Sequence, residues 1–180
     1  YDKLRLLSSN FINISPLKGL DIRSTFSIDI AQQENDTYYP TNSTQSYKGS
    51  YDGQAVQYRT KSLNWQWDNT VNYSTIVQDR HRIDVTLGMN ASYYSNNWNE
   101  VKAVGFGNDL FTFKNLGGAA KKEDCSLSSG YTSYSLMSVF LRANYVYDSR
   151  YYITFTGRGD GSSKFGPTHK WGFFPSVAAS

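Results

Sequence analysis

Residues 82–93 read Arg-Ile-Asp-Val-Thr-Leu-Gly-Met-Asn-Ala-Ser-Tyr, and this run decides the class of fold. Its odd positions are Ile83, Val85, Leu87, Met89, Ala91 and Tyr93; its even positions are Arg82, Asp84, Thr86, Gly88, Asn90 and Ser92. A strict period of two makes one face of a β-strand apolar and the other wet, whereas helical spacing would mix the two sets. The pattern recurs on both sides. Upstream, Leu63, Trp65, Trp67, Val71, Tyr73 and Val77 oppose Asn64, Gln66, Asp68, Thr70, Asn72 and Ser74. Earlier still, Ile22, Ser24, Phe26, Ile28 and Ile30 oppose Arg23, Thr25, Ser27 and Asp29. Downstream, Met137, Val139, Leu141, Ala143, Tyr145 and Tyr147 alternate with Ser138, Phe140, Arg142 and Asn144, where Phe140 blurs the wet face. Tyr151, Ile153 and Phe155 then alternate with Tyr152, Thr154, Thr156, Arg158 and Asp160. With a weaker strand near Arg5 to Ile14 and a last one from about Lys170, the expectation is about seven strands.

The connections fall into two alternating classes. Pro16-Leu17-Lys18-Gly19, Gln78-Asp79-Arg80 and Asp148-Ser149-Arg150 read as short turns, and polar stretches at roughly 32–55, 95–133 and 161–169 read as loops. Strands joined alternately by brief and long connections are the pattern of a transmembrane β-barrel, with periplasmic turns at one end and extracellular loops at the other. About 10 residues per strand at ~3.3 Å each, tilted by ~45°, cover roughly 23 Å of bilayer normal, near the ~25 Å apolar band of such barrels. Aromatic residues gather toward strand ends at Tyr93-Tyr94, Tyr145, Tyr147, Tyr151-Tyr152, Trp171 and Phe173-Phe174, which suits the membrane interface.

Composition narrows the function classes. The 180 residues are 39% hydrophobic, 18% charged and 16% aromatic, and the mean hydropathy is −0.56. No apolar run approaches the ~20 residues of a membrane-spanning helix. A formal net charge of +3 without a basic block gives nothing to track a phosphate backbone, so no nucleic-acid partner is expected. The single Cys125 has no internal disulfide partner, and no Cys/His spacing suits zinc. No calcium loop is spelled, and no cofactor is expected. His81 and His169 lack a nearby nucleophile and carboxylate at a recognisable spacing, so catalysis is not supported. Tyr1 is not an initiator methionine and Ser180 stops within a strand pattern, which reads as an internal piece of a longer protein.

The C-terminal stretch carries a more specific signal. Arg158-Gly-Asp160-Gly161-Ser162-Ser163-Lys-Phe165-Gly166 runs on to Trp171-Gly172-Phe-Phe174-Pro175-Ser176, preceded by the strand pair 138–151. Together these resemble the SusC/RagA-like branch of TonB-dependent outer-membrane transporters, in which Arg-x-Asp-Gly-Ser-Ser-x-Phe-Gly leads into Trp-Gly-x-Phe-Pro-Ser. The resemblance implies that residues 1–180 are part of a receptor β-barrel of about 22 strands, without the plug and N-terminal regions. It also implies integral residence in the outer membrane of a Bacteroidota-type bacterium and uptake of glycan or peptide fragments. A SusD-like surface lipoprotein and the TonB complex would be partners, beside the outer-membrane lipid itself. Parity nominates Asn64, Gln66, Arg82, Asp84, Asn90 and Arg158 as lumen-facing and Val85 and Leu87 as lipid-facing.

Several short motifs have plainer readings. Arg158-Gly159-Asp160 spells an adhesion tripeptide but falls on the wet side of a strand. Asp160-Gly161-Ser162-Ser163 reads as a hairpin turn in which Gly161 supplies positive φ. The Asn-x-Ser/Thr tripeptides at Asn13, Asn35, Asn42, Asn72 and Asn90 reflect abundant Asn, Ser and Thr, three of them inside expected strands. Tyr38, Tyr39, Tyr47, Tyr51, Trp98, Phe106, Phe111 and Phe113 are loop aromatics, suited to stacking on sugars or peptides and more simply to packing loops together. The alternative to a barrel is a soluble extracellular β-sandwich with a carbohydrate-binding or adhesive role.

Overall fold

A computed structural model describes residues 1–48, 52–166, 168 and 170–180, the side chains of Tyr47 and Lys48 excepted. Tyr51 and His169, named above, therefore lie outside the described residues, as does the Tyr47 side chain. Among the described residues seven strands form one sheet in chain order: β1 (Asp2–Leu17), β2 (Leu20–Tyr39), β3 (Gln54–Val77), β4 (His81–Val104), β5 (Ser126–Tyr147), β6 (Tyr151–Ser162) and β7 (Trp171–Ala179). A short helix, α1 (Thr44–Lys48), lies between β2 and β3, and three 3₁₀ turns lie between β4 and β5. The antiparallel register is fixed at the C-terminal end, where Val139 faces Gly159, Phe140 faces Arg158 and Arg158 faces Phe174.

The short turns form where expected. In two of them both central residues have positive φ: Gln78 (51°) with Asp79 (54°), and Asp148 (51°) with Ser149 (54°). Each is closed by an N–H to C=O bond, Arg80 to Val77 at 3.3 Å and Arg150 to Tyr147 at 3.0 Å. Paired positive-φ residues give the turn a twist that matches the right-handed twist of the flanking strands.

The long connections are shorter than the sequence suggested, because β2, β4 and β5 extend well into them. Residues 32–39 belong to β2, 95–104 to β4 and 126–133 to β5. Tyr38, Tyr39 and Trp98 are thus strand residues, and four of the five Asn-x-Ser/Thr sites, all but Asn42, lie in strands. Two-residue alternation is visible only where one face must be apolar; beyond that band the backbone ladder still pairs, with polar side chains on both faces. A second correction concerns Gly161. It is not among the positive-φ residues, and it lies within β6 opposite Trp171, with the turn displaced to 163–165.

By contact the chain divides into two units. One comprises Tyr1–Leu6, Ile30–Leu63 and Ser95–Thr132; the other comprises Leu7–Asp29, Asn64–Tyr94 and Ser133–Ser180. Among the described residues the buried apolar side chains are Ala55, Ala103, Val104, Phe106 and Ala119, all in the first unit. The apolar residues of the sheet are open instead, with Leu87 49%, Phe155 40% and Phe173 70% exposed. A β-sandwich buries such residues against a second sheet, and the described strands form only one.

Candidate functional site

Side-chain contacts distinguish a polar and an aromatic face on β3 and β4. On the even face of β3 and β4, Asp68 accepts hydrogen bonds from Gln66 at 2.8 Å and Asn90 at 2.6 Å. Asp84 is held by Arg82 Nε at 3.0 Å and by the Ser74 hydroxyl at 2.5 Å, and Thr86 donates to Asn72 at 2.8 Å. Gln66, Arg82, Asp84 and Asn90 therefore share one polar face, on which acids collect donors from their own strand and the next. Asn64 shares their parity on β3. Arg158 is on the matching face of β6, its Nε bonded to both oxygens of Asp160 at 2.9 and 2.8 Å, with Nη2 3.4 Å from the Ser138 hydroxyl. The adhesion tripeptide is thus a paired strand segment between β5 and β7 rather than a displayed loop.

On the odd face of β3 and β4 the contacts are aromatic. Phe26, Trp65 and Tyr93 stack in a row across β2, β3 and β4 with ring centroids 6.3 Å apart at each step, and Trp67 donates its indole N–H to Ser24 at 3.0 Å. Near the short turns a second group forms, in which His81 stacks on Tyr145 and contacts Tyr147, and Tyr147 stacks on Tyr151. His81 Nδ1 lies 2.7 Å from the Tyr145 hydroxyl. From His81 to Tyr93 along β4, ~3.3 Å per residue tilted by ~45° separates the two aromatic groups by about 28 Å. Ile83, Val85, Leu87, Met89 and Ala91 fill that interval.

The C-terminal motif anchors the end of β6. Ser163 binds β5 twice: its N–H donates to the Ser135 carbonyl at 3.0 Å, and its hydroxyl accepts from the Ser135 N–H at 2.8 Å. Ser162 donates its N–H to Lys170 O at 3.0 Å and accepts at its hydroxyl from Lys164 N at 3.2 Å. Phe165 and Gly166 lie exposed in the connection. A Cβ at Gly161 would stand 2.9 Å from the Trp171 indole, and one at Gly172 would stand 3.0 Å from the Phe174 ring. These glycines let rings from β7 lie across the sheet. Pro175 faces Gly157 and Ser176 faces Thr156.

The long connections pack on each other. Phe106 is buried with Ala55, Ala103 and Ala119, ringed by Tyr38, Phe113, Leu116 and Cys125. Gly53 and Gly105, at φ of 83° and 80°, turn the backbone so that Gly105 N–H reaches Gly53 O at 3.0 Å. Asp109 accepts from the Tyr38 hydroxyl at 2.6 Å, and from the Thr41 N–H and hydroxyl at 3.0 Å each. Those bonds, the Tyr38 one first, hold the Asp109 carboxyl below its ordinary pKa. Burial, together with the same carboxylate, pushes the Tyr38 phenol up to about 12. Arg59 spans Asp36 at 2.5 Å and Glu34 at 3.2 Å, which raises its pKa, the Asp36 bond contributing most.

No protein-family model matches the chain. Curated relatives do. TonB-dependent receptor P26 of Formosa agariphila is 33% identical over 177 residues, 97% of this chain and 18% of the relative. TonB-dependent receptor SusC of Bacteroides thetaiotaomicron is 51% identical over 47 residues, 26% of this chain and 5% of that protein. Among solved structures, the RagAB peptide transporter superposes with a TM-score of 0.83 at 24% identity, covering 97% of this chain and 20% of that one. The chain is similar to TonB-dependent receptors, SusC among them. It spans under a fifth of the length of the P26 receptor.

As a stretch of such a receptor, the seven-stranded sheet is part of an outer-membrane β-barrel wall, and the soluble sandwich reading is set aside. Two aromatic groups separated by the thickness of an apolar band are what a barrel wall presents to lipid. No helix among the described residues is long and apolar enough to cross a membrane, and in this receptor family strands do so.

Sequence reasoning missed some of what organises this receptor segment. Asp68 links Gln66 to Asn90, Ser138 supports the Arg158–Asp160 pair, and Asp109 clasps two loops. Phe140, which blurred the wet face, lies over Gly88, where a Cβ would run into its ring. The signal was a glycine on a polar face opposite a stray aromatic, readable only once the register was known.

Proposed function

We propose that the receptor containing this segment imports glycan or peptide fragments across the outer membrane, driven by the TonB complex, with a SusD-like lipoprotein over its extracellular mouth. Residues 1–180 supply barrel wall and extracellular loops; they take part in transport and catalyse nothing. Asn64, Gln66, Arg82, Asp84, Asn90 and Arg158 line the lumen or touch the plug. The motif residues from Arg158 to Ser176 hold the β5–β6–β7 end of the wall in register.

The observation that carries this reading is the division of one sheet into a hydrogen-bonded polar face and an apolar face with two aromatic groups, in a chain similar to TonB-dependent receptors. The likeness to a peptide transporter supports import of oligomeric nutrients. To test it, the native polypeptide is recovered from outer membranes in detergent and weighed, and uptake of labelled oligosaccharides and peptides is compared with and without the receptor and TonB. The expected result is a chain of order 100 kDa, enough for about 22 strands and a plug, with uptake lost on removing either component. A buffer-soluble product of the segment's own 20.4 kDa, or uptake unaffected by both deletions, would refute the proposal.

A further inference from the structure

Tyr58 on β3 and Trp98 on β4 both stand at even positions of their strands. Their ring centroids are 6.2 Å apart with planes 26° from parallel. Across the next strand, a Cβ at Gly130 would stand 2.5 Å from Trp98 Nε1 and 2.7 Å from Cε2. The indole thus occupies the space that a side chain at 130 would fill. Trp98 and Tyr58 are both only half-buried. Beside them Thr60 donates its hydroxyl to Asn96 Oδ1 at 2.9 Å, leaving the amide NH₂ of Asn96 as a donor group. Ser62, Ser128 and Thr132 share this parity, and Glu100 is the next such residue after Trp98 on β4.

From this arrangement we infer that Tyr58 and Trp98 form a stacking platform for a ring of a neutral oligosaccharide, on the import path proposed above, on which the inference rests. The electron-rich face of an indole or phenol attracts the partly positive C–H bonds on one side of a hexose. The surrounding hydroxyls, amide and single carboxylate pair with the sugar's hydroxyls at its rim. A peptide would bring two charged termini and backbone amides in need of a strand edge, and these residues offer one carboxylate on strands that already have a hydrogen-bonded neighbour on each side. Within the proposed import of glycan or peptide, the platform selects the glycan.

The test uses the whole receptor, purified from outer membranes, titrated calorimetrically with neutral hexasaccharides of glucose, mannose and xylose and with a tryptic casein peptide pool. Heat-modifiable mobility on gels checks folding of each variant. The expected result is that the parent binds at least one hexasaccharide, with Trp98→Ala and Tyr58→Ala each weakening it by about tenfold or more and Trp98→Phe staying within about threefold. Tyr58→Ala carries the test if Trp98→Ala does not fold. Unchanged hexasaccharide affinity in the folded alanine variants overturns the platform. Binding of peptides but of no hexasaccharide also overturns it and leaves the import reading standing. Saccharide binding lost in the variants, with uptake independent of the receptor in cells, would keep the platform and overturn the import reading.

Discussion

Leu87 is the position at which the wall's orientation is most directly testable. It lies midway along β4 between His81 and Tyr93, so ~3.3 Å per residue at a tilt of ~45° places it about 14 Å from each aromatic group, at the membrane midplane. Its side chain is 49% exposed in the chain by itself, and no described strand covers that face. Leu87→Arg would set a guanidinium in hydrocarbon, at a cost of about 2–4 kcal/mol at that depth. Its neighbour Thr86 is on the opposite face, where its hydroxyl donates to Asn72 at 2.8 Å. Thr86→Lys removes that bond, for about 1 kcal/mol, and places its charge among polar groups. The assay is equilibrium unfolding of the whole receptor in lipid vesicles by guanidinium titration. A deficit at Leu87→Arg exceeding that at Thr86→Lys by about 1–3 kcal/mol is expected. Equal losses, or a larger loss at Thr86, would mean that the odd face of β4 does not meet lipid. Val85→Arg, closer to the short turns, should cost less than Leu87→Arg in the same series.

Other outcomes follow from contacts that the sequence did not reveal. Gly88→Ala, which drives a methyl into the Phe140 ring, should destabilise by about 1–3 kcal/mol; Phe140→Ala should relieve part of that loss, read as a non-additive double-mutant cycle. Ser163→Ala leaves the exposed Ser135 N–H without its hydroxyl acceptor and should cost about 0.5–1.5 kcal/mol, measurable by denaturant titration. The Asp109 clasp should depend on pH at both ends. Because the Asp109 pKa is lowered on folding, its contribution is present above the ordinary carboxylate value of 3.8 and fades as pH falls through the folded value. Because the Tyr38 pKa is raised, its contribution is full below 10.0 and is lost as pH rises toward about 12. Proteolysis of the long connections should accelerate at both extremes, and Tyr38→Phe should abolish the alkaline limb. An alkaline limb that survives Tyr38→Phe would remove the clasp from the account.

How far the sequence could be read depended on where physics demanded a pattern. From Arg82 to Tyr93 one face must be apolar and the other wet, so the strand, its parity and its neighbours on β3 and β5 were legible residue by residue. From Gln32 to Tyr39 and from Ser95 to Val104 polar residues occur on both faces, the alternation fades, and strand residues read as loop. Gly161 shows the complementary error. In a run of Asp, Gly and Ser it reads as a turn, yet it is glycine because the Trp171 indole crosses it from β7. Parity grouped the polar residues of β3 and β4 but did not give their connections: Asp68 to Asn90 and Asp84 to Ser74 join different strands.

The sequence by itself determined that this chain is all-β, which residues share a face of each strand, where the tight turns fall and, through Arg158 to Ser176, which family it resembles. Each of those follows from local rules, since a pleated backbone alternates side chains and a two-residue reversal needs positive φ. Only the tertiary structure decided the register that sets Phe140 over Gly88 and Trp98 over Gly130, and the clasp of Asp109 on Tyr38 and Thr41. It also placed the buried core, with Phe106 packed among the loops and the sheet left open. Those contacts join residues tens of positions apart, and their partners are fixed by hydrogen-bond register and ring shape. A one-residue shift in pairing would have left the local pattern of each strand unchanged.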